Sequence, residues 1–277
     1  MENVIEAKEI ETKSIDFISS VIITLIQKYD IKVDNLTGIM PSFIFTDDEH
    51  YGDEIKKINP DAEYTNEERY KAVGKFLYIN EKSYLVIKSY ILEVLFKTNY
   101  ENPYGKFIIL HELGHWLNNM LNPELRPKEK PKYPLPLKEV SKYIYDIIID
   151  EYMANNYVSF LLSDEQCKEI IKDDELYEDI ENIYTSITDK YDLFTRFWNK
   201  PNSIFNNLIS SIPLYKKCGG FVMDDILEII NVKAIIALLE KGKDQLGIIY
   251  NNLIYVFNLI VKDYNSDNPE IMQKSIE

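Results

Sequence analysis

The pentad His111-Glu112-Leu113-Gly114-His115 constrains this chain more than any other feature. It sits in the apolar run FIILHELGHWLNN, downstream of Asn102 and Pro103, which together read as a helix cap and a first-turn proline. A helix is therefore expected from there to about Leu121. On a helix, residues four apart lie one turn apart on the same side, so the two imidazoles can reach a common point. Phe107, Leu110, Gly114, Leu117 and Leu121 then form a core stripe, and Tyr104, Ile108, His111, His115 and Asn118 form the stripe beside it. The whole chain has 3 histidines, and two of them occupy this pentad. Chance placement of that kind is expected in roughly a few chains per thousand.

Two imidazoles so spaced bind one metal ion at about 2.0–2.1 Å each. Glu112, one residue on, is rotated away from that point and suits a hydrogen bond to water held there. Hydrolysis of a peptide bond needs this set, because a divalent ion acidifies water and a carboxylate takes the proton. A third protein ligand is required. His50, in TDDEHYGD, reads as a solvated loop residue. The segment IDEYMANNYVSFLL offers a better candidate. Ile144, Ile148, Glu151, Asn155, Val158 and Leu162 share one helix face, and a carboxylate in such a stripe is costly to bury without a compensating charge. Glu151 is therefore favoured as the third ligand. Asp150 competes, sharing a stripe with Tyr143, Ile147, Ala154, Tyr157 and Leu161. Asn155, one turn beyond Glu151, is placed to orient His111 or His115 from behind.

Elsewhere the pattern gives a helix over residues 14–30 capped by Ser14, and a short strand in SFIFT after Pro41. Residues 47–69 read as polar loop with one helical turn, residues 72–80 as a strand, and 81–98 as a helix. Pro123, Pro127, Pro131, Pro134 and Pro136 make 122–137 an extended loop. A long helix is expected over about 138–162, and Ser163-Asp164-Glu165 opens another. Helical patterning continues to the end, broken near Pro201, Pro213 and Gly219-Gly220. The fold class expected is α+β and predominantly α-helical: a small N-terminal sheet, an active-site helix and a C-terminal helical region. Residues 1–163 read as the catalytic unit, and 164–277 as helices that can pack with it.

Apolar residues at 45% and charged residues at 28% describe an ordinary globular chain. A formal charge of -15 repels phosphate backbones and anionic bilayers, so neither nucleic acid nor membrane is expected as a partner. Cys167 and Cys218 form no CxxC pair and read as thiols in a reducing compartment. The first residues lack a secretory pattern, and the stretch from Ile15 to Ile26 is interrupted by Asp16, Ser19, Ser20 and Thr24. A cytoplasmic location is expected.

HELGH followed by a glutamate on a later helix resembles the gluzincin arrangement of zinc metallopeptidases. FIILHELGHWLNN together with EYMANNYVSFLL is similar to the small ImmA/IrrE-type peptidases, in which HExxH precedes ExxAN, an aromatic residue and paired leucines. Glu151, Ala154, Asn155, Tyr157, Leu161 and Leu162 stand at those positions, and the likeness spans about residues 72–163. It departs from the family in its proline-rich insertion and in Ser163, where a methionine-proline pair is common. The resemblance implies a zincin-like core, with His111, His115 and Glu151 holding Zn2+ and Glu112 as general base. It also implies a protein or peptide substrate, a regulatory protein in that family. The alternative it leaves open is a non-catalytic regulatory or protein-binding domain that retains the zinc site. The oxyanion-stabilising group stays unassigned among 21 tyrosines and Arg196.

Overall fold

Apolar side chains recur at helical spacing along helix α1 (Glu2–Lys28), where Ile18, Ile22 and Leu25 are fully buried. The computed structural model describes residues 2–32, 40–62, 72–123, 147, 150–172 and a few positions between 210 and 218, with side chains from residue 7 onward. Strand β1 (Ser42–Thr46) leads into helix α2 (Tyr51–Ile58). Strands β2 (Gly74–Ile79) and β3 (Lys82–Lys88) follow, then helix α3 (Ser89–Lys97) and helix α4 (Pro103–Leu121). Residues 150–158 form helix α5, a 3-10 turn covers Ser159–Leu161, and helix α6 spans Asp164–Lys172.

The strands form one mixed sheet in the order β1-β3-β2, with β1 parallel and β2 antiparallel to β3. The hairpin closes through Asn80 and Glu81, at φ 50° and 62°, the two left-handed residues of a tight turn whose twist matches the strands. Strand alternation gives the sheet two apolar faces. Leu85 and Ile87, with Phe43, Phe45 and Phe76, join the main core beneath α1, α3 and α4. Val86 and Leu77 pack with Tyr51 and Ile55 of α2 on the other face. Lys88 ends β3 almost fully buried, its Nζ 2.5 Å from Asp48 Oδ1 and over the Tyr51 ring.

Helix α4 runs through the middle and touches α1, α3, α6, β2 and β3. Ile109, Leu110, Leu113, Trp116 and Leu117 are all fully buried, so apolar residues surround the axis rather than form one stripe. Its start is the one the sequence specifies: Asn102 Oδ1 accepts from Gly105 N–H at 2.8 Å ahead of Pro103. Helix α6 begins with a reciprocal box. Gln166 N–H donates to Ser163 Oγ at 3.1 Å, and Ser163 N–H donates to Gln166 Oε1 at 3.0 Å.

The molecule is mostly helical with a small mixed sheet, which is the α+β class expected. Several local expectations are corrected. The helix expected over 81–98 is strand β3 followed by α3. The polar stretch after Asp47 contains α2, a helix of 8 residues rather than a single turn. Ser14 caps nothing, because α1 begins at residue 2 and Ser14 lies buried within it. The long helix ends at residue 158, ahead of the 3-10 turn. Its expected start, most of the proline-rich loop, Pro201 and Gly219-Gly220 lie outside the described residues. No described helix is long and apolar enough to cross a membrane.

Candidate metal centre

Helix α4 meets α5 at a point where side chains are nearly absent. A Cβ on Gly114 would fall 2.1 Å from the carbonyl oxygen of Ala154 and 2.7 Å from its Cα, so only glycine permits this approach. The contact sets the register of the two helices. His111 and His115 flank Gly114 on α4, and Asp150, Glu151 and Asn155 flank Ala154 on α5.

Three donor atoms converge across that crossing. His111 Nε2 lies 3.1 Å from His115 Nε2, and Glu151 Oε2 lies 3.3 Å from the first and 3.7 Å from the second. Ligands held at 2.0–2.1 Å in a tetrahedral arrangement are separated by about 3.3–3.4 Å. The observed spacings bracket that value. The group could hold a metal ion, and its two imidazoles and one carboxylate are a donor set that suits zinc and its neighbours. The His111, His115 and Glu151 side chains remain 20%, 13% and 30% exposed, so water and a small ion can reach them.

The opposite ring nitrogens are engaged. His111 Nδ1 lies 2.8 Å from Asn155 Oδ1, whose amide nitrogen donates to the Ser210 carbonyl at 2.6 Å. The amide is thereby fixed with its oxygen toward the ring, and His111 carries its proton on Nδ1. His115 Nδ1 lies 2.9 Å from Asp150 Oδ2, an ion-pair contact set off the axis of the ring N–H. Asp150 is held in turn by Asn118, whose Nδ2 donates to Oδ1 at 2.6 Å. Asn118 accepts from Asn122, which also donates to the Tyr157 hydroxyl. Both histidines therefore turn an Nε2 lone pair to the same place, as residues do when a carboxylate or amide braces a metal-binding imidazole.

The charges agree with this arrangement. Burial disfavours charge on all three residues, yet mutual attraction outweighs it. His115 is raised to about 10 by Asp150 and Glu151, and His111 is raised by Glu151. Glu151 is lowered to about 2 by His115 and His111. The pocket is built to hold positive charge between two nitrogens and a carboxylate.

Glu112 projects from α4 toward the sheet, where its Oε2 accepts from Phe76 N–H of β2 at 2.6 Å. That N–H lies on the side of β2 away from β3, the edge that no other described strand pairs with. A Cβ on Gly74 would stand 3.0 Å from Glu112 Cγ, so the glycine leaves room for the carboxylate to lie against the strand. His50 is elsewhere: it is exposed at the start of α2, its Nδ1 2.7 Å from Asp47 Oδ1, beyond the other face of the sheet. Arg196 lies outside the described residues.

Sequence reasoning treated Asp150 as a rival to Glu151, whereas it braces His115 from behind. The Ile147 and Ala154 stripe signalled an inward carboxylate, but the signal could not say which side of the ring it meets. The Phe76 N–H, the Ser210 carbonyl and the clearance at Gly74 were missed, since main-chain groups leave no side-chain pattern. No protein-family profile, curated protein or solved structure matches this chain.

Proposed function

We propose that this chain is a zinc-dependent metallopeptidase with a zincin-like core, of the gluzincin type and akin to the ImmA/IrrE-type peptidases. It acts in the cytoplasm on a protein or peptide substrate, a regulatory protein by that kinship. The observation that carries the reading is the convergence of His111 Nε2, His115 Nε2 and Glu151 Oε2 at tetrahedral spacing, with Glu112 beside them against an edge strand.

His111, His115 and Glu151 are the residues that hold the ion. Zinc, when bound, supplies Lewis-acid polarisation of a carbonyl and a more acidic water. Asn155 and Asp150 keep both imidazoles in the tautomer that offers Nε2. Glu112 takes the proton from the attacking water and returns it to the leaving nitrogen. The edge of β2 that no other described strand pairs with receives an extended peptide by strand addition, which brings the scissile carbonyl alongside Glu112.

The Glu112→Gln variant tests the hydrolytic part. It should keep zinc at the wild-type level and lose cleavage of a broad mixture of unstructured peptides by about 100-fold or more. Cleavage equal to wild type would remove Glu112 from the chemistry. Zinc in both proteins with cleavage in neither would favour the non-catalytic domain instead.

A further inference from the structure

The amide of Asn155, only 2% exposed, joins the ligand helices to the far part of the chain. Left alone, an asparagine side chain can present either its oxygen or its NH2 to a neighbouring ring. A main-chain carbonyl can only accept. The Ser210 carbonyl, 55 residues from Asn155 and 2.6 Å from its Nδ2, therefore decides which way the amide faces. With the NH2 directed at Ser210, Oδ1 must face His111 Nδ1 at 2.8 Å. The ring proton then sits on Nδ1, and the Nε2 lone pair turns toward His115 and Glu151.

The neighbours of Ser210 are seated in the core. Leu214, one turn on, is 1% exposed within the same apolar cluster as Trp116 and Leu117 of α4. Cys218 N–H donates to the Leu214 carbonyl at 3.1 Å, continuing the turn, and Lys217 Nζ lies 3.8 Å from Asp164 on α6.

We propose that the segment carrying Ser210 is a working part of the metal centre: its carbonyl sets Asn155, Asn155 sets His111, and unseating the segment weakens metal binding. The inference rests on the metal-binding half of the function proposed above and is independent of hydrolysis.

The test measures Zn2+ affinity of the full-length protein by competition with a chromophoric chelator. The visible absorption of bound Co2+ reports ligand geometry, and circular dichroism verifies the fold. Asn155→Ala should weaken Zn2+ binding by about 10–100-fold. Asn155→Asp separates the two roles of this side chain. It keeps an acceptor for His111 but sets a carboxylate oxygen against the Ser210 carbonyl, two acceptors that repel and push the segment and side chain apart, so the inference requires binding at least about tenfold weaker with an altered Co2+ spectrum. Leu214→Ala should weaken binding in the same direction. Its combination with Asn155→Ala should bind no worse than Asn155→Ala alone, because both act through one path. Wild-type affinity in Asn155→Asp, or Leu214→Ala and Asn155→Ala effects that multiply, would overturn it. If Leu214→Ala fails to fold, Asn155→Asp decides alone. A wild-type protein that binds no Zn2+ would instead remove the metal reading on which the inference stands.

Discussion

Two imidazole nitrogens 3.1 Å apart, each ring braced at its other nitrogen, repel one another unless a cation or a proton lies between them. Without a metal ion a proton on His115 supplies that charge: burial opposes it, but Asp150 and Glu151 raise His115 from 6.5 to about 10. A raised histidine contributes stability that is whole below its unfolded value and is lost as pH climbs through its folded one. The His115 contribution is thus complete below about pH 6.5 and lost toward pH 10. Glu151, lowered from 4.5 to about 2, contributes above its unfolded value and loses that as pH falls toward 2. The metal-free cluster is most stabilising between those limits. Added zinc replaces the proton, so it should raise the melting temperature more at about pH 8.5 than at about pH 6. Equal gains at both values in melts of chelator-treated and zinc-loaded protein would contradict this. At this scale the sequence was informative about side chains with unusual chemistry. His111, His115 and Glu151 could be singled out because two histidines at one-turn spacing and a glutamate in an apolar stripe are improbable without a purpose.

Element boundaries turn on backbone geometry, and there the reading was weaker. KSYLVIKSYILEVLF carries apolar residues almost continuously, so helical spacing can be traced through it although its first half is β3. The stop signal was Asn80-Glu81, and glutamate is a poor announcement of a residue at φ 62°. Glu81→Gly should relieve that conformation and raise the melting temperature by about 1–3 °C, a gain of up to about 1 kcal/mol. An unchanged or lower value in a thermal melt would count against a tight two-residue turn. The crossing of α4 and α5 makes a harsher prediction. Gly114→Ala sets a methyl 2.1 Å from a backbone oxygen, which no rotamer can relieve. It should cost roughly 1–3 kcal/mol in denaturant unfolding and weaken zinc binding as the helices part. Gly105→Ala is the control: its nearest obstacle is the flexible Leu95 side chain at 2.9 Å, and zinc binding should survive.

At the scale of the molecule, the sheet and the helices divide the work. Helix α4 packs against the sheet within the main core and presents His111 and His115 to α5 while leaning Glu112 on β2, so one buried helix joins the histidine cluster to the sheet. The α+β class was legible from the alternation of short apolar strands with longer helical runs. The pairing of β1 with β3, and the way Ser210 and Leu214 return to α4 and α5, join segments far apart in sequence, which local periodicity cannot foresee. The proposed chemistry depends first on the ion. Elemental analysis of protein purified without chelators and supplied with zinc should find about one zinc per wild-type chain and a sharp loss in Glu151→Ala, since a site reduced to two imidazoles holds the ion poorly. Wild-type protein without metal, or full occupancy in Glu151→Ala, would contradict it.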